Sequence, residues 1–136
     1  MLKNNSQTER WKWFVVYHLP VVAYAAIIII VSSIPYLSVP KYDFILFDKV
    51  AHFAEYAVFA FLTFRSFSHI SPKIDINRAF LLSALFLCVF ALFDELYQYF
   101  VPGRHTDVYD LAGDILGSLL VLIFLSLRAK KGKSSL

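Results

Sequence analysis

The chain has 136 residues, of which 59% are hydrophobic and 18% aromatic, while only 17% are charged against roughly 25% in an ordinary soluble domain. That composition points to one domain in a membrane, and the single cysteine, Cys88, excludes a disulfide framework within the chain. The net charge of +3 and the pI near 9.0 do not mark a nucleic-acid binder, because the basic residues flank hydrophobic runs and form no patch interleaved with aromatics.

A bilayer core about 30 Å thick requires roughly 20 mostly apolar residues per helix. Four segments meet this in chain order. Residues 1–12 form a polar cytoplasmic segment with a basic start, and residues 13–34 form the first span around VVAYAAIIIIV. Pro20 predicts a kink early in this span. The apolar run is long for a signal peptide and Ser32-Ser33-Ile34 is a poor cleavage site, so the helix is expected to be retained. Ser32, Ser33, Pro35 and Pro40 mark the loop that follows, and residues 48–67 form the second span. Residues 79–100 form the third, Pro102-Gly103 a turn, and residues 108–127 the fourth. The stretch RAKKGKSSL at 128–136 reads as a short, mobile polar tail. The expected fold is all-α, a four-helix membrane bundle over residues 13–127.

Charge sets the direction. The N-terminal segment, residues 65–78 and the tail together carry ten bases and two acids, whereas the two other connections and the adjoining helix ends carry three bases and eight acids. The excess of Lys and Arg belongs in the cytoplasm, which places both termini inside and the acids at the outer face. Trp11, Trp13 and Tyr17 fit an interfacial aromatic belt on the inner side. At 1.5 Å per residue, Asp114 stands about 20 Å above Leu127 and Glu55 about 18 Å above Phe67, so several carboxylates lie below the headgroups.

Helical spacing groups these residues by face. Asp48, His52 and Glu55 share one side of the second span, with Lys49 and Tyr56 along its edge. Asp94 and Gln98 stack on the third, while Glu95 turns about 100° away. Asp107, Asp110, Asp114 and Gly117 share a face of the fourth, where Gly113 and Gly117 permit close helix approach. A carboxylate facing lipid costs at least about 2.5 kcal/mol near a helix centre, so these faces are expected to turn inward and enclose a polar pocket open to the outside. Arg104, with its planar fork, is the expected counter-ion, and a bound cation or protonation is expected to offset the excess of acids. The oxygen-rich layer suits Mg²⁺, Mn²⁺ or Ca²⁺ better than zinc, although no metal ligand set is fixed by the spacing. No Ser or Cys nucleophile is seen beside a base. The phenylalanines Phe59, Phe61, Phe64 and Phe86 read as packing or lipid-facing residues, and Asp43 and His105 as exposed loop residues.

The block DKVAHFAEYAVFAFL at 48–62, followed by FDELYQYFVPGRHTDVYDLAGDILGSLL at 93–120, resembles the VanZ-like family of small bacterial membrane proteins. The resemblance rests on Asp48, Lys49, His52 and Tyr56, then Asp94, Glu95 and Gln98, then Pro102, Gly103 and Arg104, then Asp110, Gly113 and Gly117; Ser33 and Pro35 also fit. Asp114 departs from it, since the pattern has Asn there. The resemblance implies an integral protein of the bacterial cytoplasmic membrane with a cell-envelope role, and its name carries a link to teicoplanin resistance.

Two functions of different class follow. In the first, the chain is a non-enzymatic envelope factor that contacts membrane lipids and binds a lipid-linked cell-wall precursor or a lipoglycopeptide. Asp48, Lys49, Glu55, Tyr56, Gln98, Arg104, Asp110 and Asp114 would line that site. In the second it is a membrane enzyme acting on a phosphorylated or glycosylated lipid, with Asp94 or Glu95 as base and His52 as its acid partner. A transporter is the weaker reading, because the inner halves of the helices are almost uncharged.

Overall fold

The computed structural model of the protein describes residues 3–35, 45–104 and 106–134. Pro40, Asp43 and His105, read above as loop residues, lie outside them. The described residues form five helices and no strand: α1 Lys3–Tyr17, α2 Leu19–Ser32, α3 Ile45–Ser68, α4 Ile76–Gln98 and α5 Val108–Ser134.

The first expected span is two helices rather than one. Residues Gln7–Tyr17 and Leu19–Ser32 meet at a bend of 42°. Pro20 lies in the first turn of α2 and has no N–H to give to the carbonyl four residues earlier, so the ladder breaks where the sequence predicts a kink. The bend is pinned from both sides. His18 Nδ1 and Ser66 Oγ of α3 are hydrogen-bonded at 2.7 Å, and the Trp13 ring meets the His18 ring edge-on at 4.6 Å. Tyr17 stacks on His69 at 3.8 Å, and the Arg65 guanidinium lies 5.1 Å from the Tyr17 ring centroid, a cation–π contact.

Helix α4 begins at Ile76 because Asp75, in extended conformation, caps it by accepting the Arg78 N–H at 2.9 Å. Replacing Asp75 with alanine is expected to cost about 1 kcal/mol, and asparagine should recover most of that. A thermal melt of the detergent-solubilised protein reads both. After α4 the chain turns through Val101-Pro102-Gly103-Arg104, closed by Arg104 N–H to the Val101 carbonyl at 3.1 Å. Gly103 has φ of 75°, which a type II turn requires at its third position. Helix α5 runs past residue 127 to Ser134, so it includes most of the stretch read above as a polar tail. Arg128, Ala129, Lys130 and Lys131 are good helix formers, and their positive charge suits the negative C-terminal end of the helix.

Helices α4 and α5 are each long and apolar enough to cross a membrane, and the bent α1–α2 pair makes a third candidate span. Helix α3 has 24 residues, but Asp48, Lys49, His52, Glu55 and Arg65 interrupt its apolar run. The core is built from Tyr56, Phe59, Ala60 and Phe64 of α3, Ala79, Leu87 and Ala91 of α4, Ile28 of α2 and Leu122 of α5. Phe61 and Phe86 face outward instead. On α4 the outward row is Leu81, Leu85, Val89, Leu92 and Leu96, and on α5 it includes Leu116, Leu120 and Ile123. Asp94, Glu95, Gln98, Asp110 and Asp114 are buried. Large apolar side chains outside and acids inside invert the soluble pattern and match a helix bundle in lipid.

Candidate functional site

The antiparallel order brings the C-terminal ends of α2 and α4 to the N-terminal ends of α3 and α5. The acids of the sequence collect there, and each is held by a different device. Asp107 caps α5: Oδ1 accepts the Tyr109 N–H at 2.9 Å, while Oδ2 accepts from Lys49 Nζ at 2.5 Å. The Lys49 hydrogen bond holds the Asp107 carboxyl below the usual carboxylate range. The same ammonium donates to Asp110 Oδ1 and lies 3.7 Å from Asp48 Oδ2. Lys49 therefore ties the start of α3 to the start of α5. Both Asp107 and Asp110 also sit in or beside the first turn of α5, where the helix dipole favours negative charge.

One turn along α3, His52 Nδ1–H donates to Asp114 Oδ1 at 3.0 Å. Asp114 is only 1% exposed, so a carboxylate stands directly behind the imidazole. The departure from Asn at this position therefore has a structural use: a charged acceptor for His52. Ligand atoms of Asp48, His52 and Asp110 all lie within 4.8 Å of one another.

The α4 acids face different partners, as their 100° offset requires. Asp94 Oδ2 accepts from Gln98 Nε2 at 3.3 Å, and that amide also reaches Ser32 Oγ of α2 at 3.3 Å. Glu95 Oε1 accepts the Asp107 N–H at 2.5 Å. Glu55 is half-buried, and Tyr24 donates to its backbone carbonyl at 3.3 Å. Tyr56 is completely buried beside it in sequence.

Arg104 lies close enough to Asp94 and Glu55 for its charge to act on both, but its direct bond goes elsewhere. Its Nη2 donates to the Val31 carbonyl near the end of α2 at 3.0 Å, and it forms no salt bridge with a described acid. The turn at Gly103 brings the guanidinium to α2, where it adds a donor to a terminal carbonyl that also accepts the Ile34 N–H at 3.1 Å. Ser33 Oγ, hydrogen-bonded to Tyr97 Oη at 2.9 Å, closes the same corner.

Four acceptors or donors in this end of the bundle are buried with no hydrogen-bond partner among the described residues: Tyr56 Oη, Asp94 Oδ1, Glu95 Oε2 and Arg104 Nε. A buried polar group left unmatched costs about 1–3 kcal/mol, so a native fold retains four such groups together only when something offsets the cost. The sequence reading missed Ser32, whose bond to Gln98 joins α2 to the cluster. Its position at the end of an apolar run suggested a loop. It also missed that Ser66 lies beside His18, at the opposite end. That pair spans 48 positions in the chain, so no local spacing announces it. It lacks a described carboxylate behind the imidazole and serves to hold the α1–α2 bend.

No curated protein and no solved structure matches the chain. The buried acids of α4 and α5, the Lys49 and His52 bridges from α3 and the Gly103 turn are placed by the motifs that carry the resemblance noted above, and over residues 3–129 the sequence matches the VanZ/LLP1 family, so the chain belongs to that family.

Proposed function

We propose that the chain is a four-span protein of the bacterial cytoplasmic membrane, with both termini in the cytoplasm, whose outer-end polar cluster binds the head group of an envelope component. By covering that component it would lower susceptibility to teicoplanin-type lipoglycopeptides. The observation that carries the reading is the set of unpartnered buried groups, Tyr56 Oη, Asp94 Oδ1 and Glu95 Oε2, in one helix-end cluster. Sugar hydroxyls or a head-group amide supply the complementary donors and acceptors. Helix α3 supports the fourth span: its polar residues face the bundle, while Val50, Ala54, Val58 and Phe61 form an exposed apolar row at helical spacing. The count of bases and acids at the two ends supports the orientation.

One observation favours the enzymatic alternative. His52 is oriented by Asp114, the arrangement that fixes an imidazole for proton transfer. Asp94 or Glu95 would then be the base, acting on a phosphorylated or glycosylated lipid. The two readings part in cells lacking the protein that are given wild type or Glu95→Gln at equal level, with envelope lipids and cell-wall precursors compared by mass spectrometry. Binding predicts identical profiles together with less teicoplanin bound by intact cells that carry wild type. A mass change that requires Glu95 would replace that reading with the enzymatic one. No difference in either measurement would remove both.

A further inference from the structure

Among the described residues, seven carboxyl groups share the polar end with Lys49 and Arg104 as its fixed cations. Asp94, Glu95, Asp110 and Asp114 are each at least nine-tenths buried, where uncompensated negative charge is most costly. Protein cations alone do not balance the cluster. The geometry points to a site for one divalent first-row metal ion on Asp48, His52 and Asp110, with Mn²⁺ the ion that fits. This deepens the head-group reading and rests on it for its purpose.

Three features carry the assignment. First, the three residues bring their ligand atoms within 4.8 Å of one another, a span that one ion can bridge. Second, His52 is set up as metal-binding histidines are. Its Nδ1 is hydrogen-bonded to the buried Asp114 carboxylate, which orients the ring and leaves Nε2 as the atom that would take a metal in exchange for its proton. Third, Glu95 Oε2 is buried and unpartnered, while its Oε1 accepts the Asp107 N–H at the rim of the same cluster. It is a buried acceptor with no described donor, on a side chain anchored to the residue that caps α5.

Lys49 donates to Asp110 Oδ1, so Oδ2 of that residue is the atom left for the ion. The ammonium repels a neighbouring dication, but it also fixes the Asp110 carboxylate, and the surplus of acids exceeds that repulsion. One imidazole and two carboxylates make a mixed donor set. Mg²⁺ and Ca²⁺ are hard cations that take oxygen ligands, whereas Mn²⁺ accepts both types. Three protein ligands leave further positions open. Phosphate oxygens of a head group would fill them, which would give the cluster a way to recognise an anion despite its own negative charge.

The test uses full-length protein in detergent, stripped with EDTA and titrated with Mn²⁺, following loss of the free-ion electron paramagnetic resonance signal. One saturable ion per chain is expected, with Mg²⁺ and Ca²⁺ at equal concentration failing to displace it. Asp114→Asn keeps the hydrogen bond and removes the charge behind His52, and should weaken binding about 10- to 100-fold. Asp48 is 45% exposed, so Asp48→Asn leaves packing intact and should weaken binding at least about tenfold. Circular dichroism and the melting temperature verify that both variants fold. Absence of saturable uptake by wild type, or wild-type affinity in Asp48→Asn, would overturn the site. The head-group reading stands or falls separately. If Asp48→Asn has lost the ion yet still reduces teicoplanin on cells, the ion has no part in that activity. If wild type binds Mn²⁺ but alters nothing in the envelope, the metal site survives and the head-group role does not.

Discussion

Gly117→Ala is expected to destabilise the protein by about 3 kcal/mol, the upper end of the overpacking range, because the added methyl meets backbone on a facing helix. Gly117 of α5 lies flat against α3 at Phe53. A Cβ there would fall on the Phe53 carbonyl oxygen, 3.0 Å from its carbonyl carbon and 3.2 Å from its Cα. None of these atoms can rotate away, so one helix has to shift. The α3–α5 contact is the most extensive in the bundle, and the shift would carry Lys49 and His52 away from Asp110 and Asp114. Gly113, one turn earlier, is the internal control. The nearest atom to its Cβ position is the Lys49 carbonyl oxygen at 3.4 Å, an ordinary contact. Gly113→Ala should therefore be neutral or gain about 0.5–1 kcal/mol from lower backbone entropy. Thermal melts of the two variants in the same detergent decide the matter. Equal stability for both would show that α3 and α5 do not approach as described.

Lys49→Met is the second large effect. It keeps most of the stem and deletes the ammonium shared by Asp107, Asp110 and Asp48. Asp110 is 5% exposed and has no other cation within salt-bridge distance among the described residues. Removing one partner of a buried pair costs about 3–5 kcal/mol, and the lower end applies because Lys49 retains 22% exposure and Asp107 more. The cause is separable by a double-mutant cycle. Asp110→Asn in the Lys49→Met background removes the stranded charge and should recover much of the loss, which simple loss of packing would not allow. If the double variant is as unstable as the sum of the singles, Lys49 acts through its stem rather than its charge.

The positions of these residues were unequally legible in the sequence. Face assignments from helical spacing placed Asp48 with His52, Asp94 with Gln98, and Asp110 with Asp114. The structure joins Asp94 to Gln98 directly and buries the two α5 acids. The break at Pro20 and the turn at Pro102-Gly103 are likewise local, since each follows from what one residue does to its own backbone. Partner choice was not legible. Arg104 reads from the sequence as a counter-ion for the acids; the structure adds a bond that ties its loop to the Val31 carbonyl, 73 positions away, which no local spacing announces.

The sequence by itself determined the class of the protein: all-helical, apolar enough for lipid, with acids gathered at one end and bases at the other. Hydrophobicity and a period of 3.6 act along one chain segment, so they can be read without knowing the fold. Only the tertiary structure decided which carboxylate meets which base. Lys49 and Asp110 are 61 positions apart, His52 and Asp114 62, and the bent first span leans on a serine 48 positions away. Such pairings depend on how closely two helices approach, and here that is set by Gly117 against the Phe53 backbone. A side chain's face follows from spacing, but its partner follows from the register between helices, which packing alone fixes.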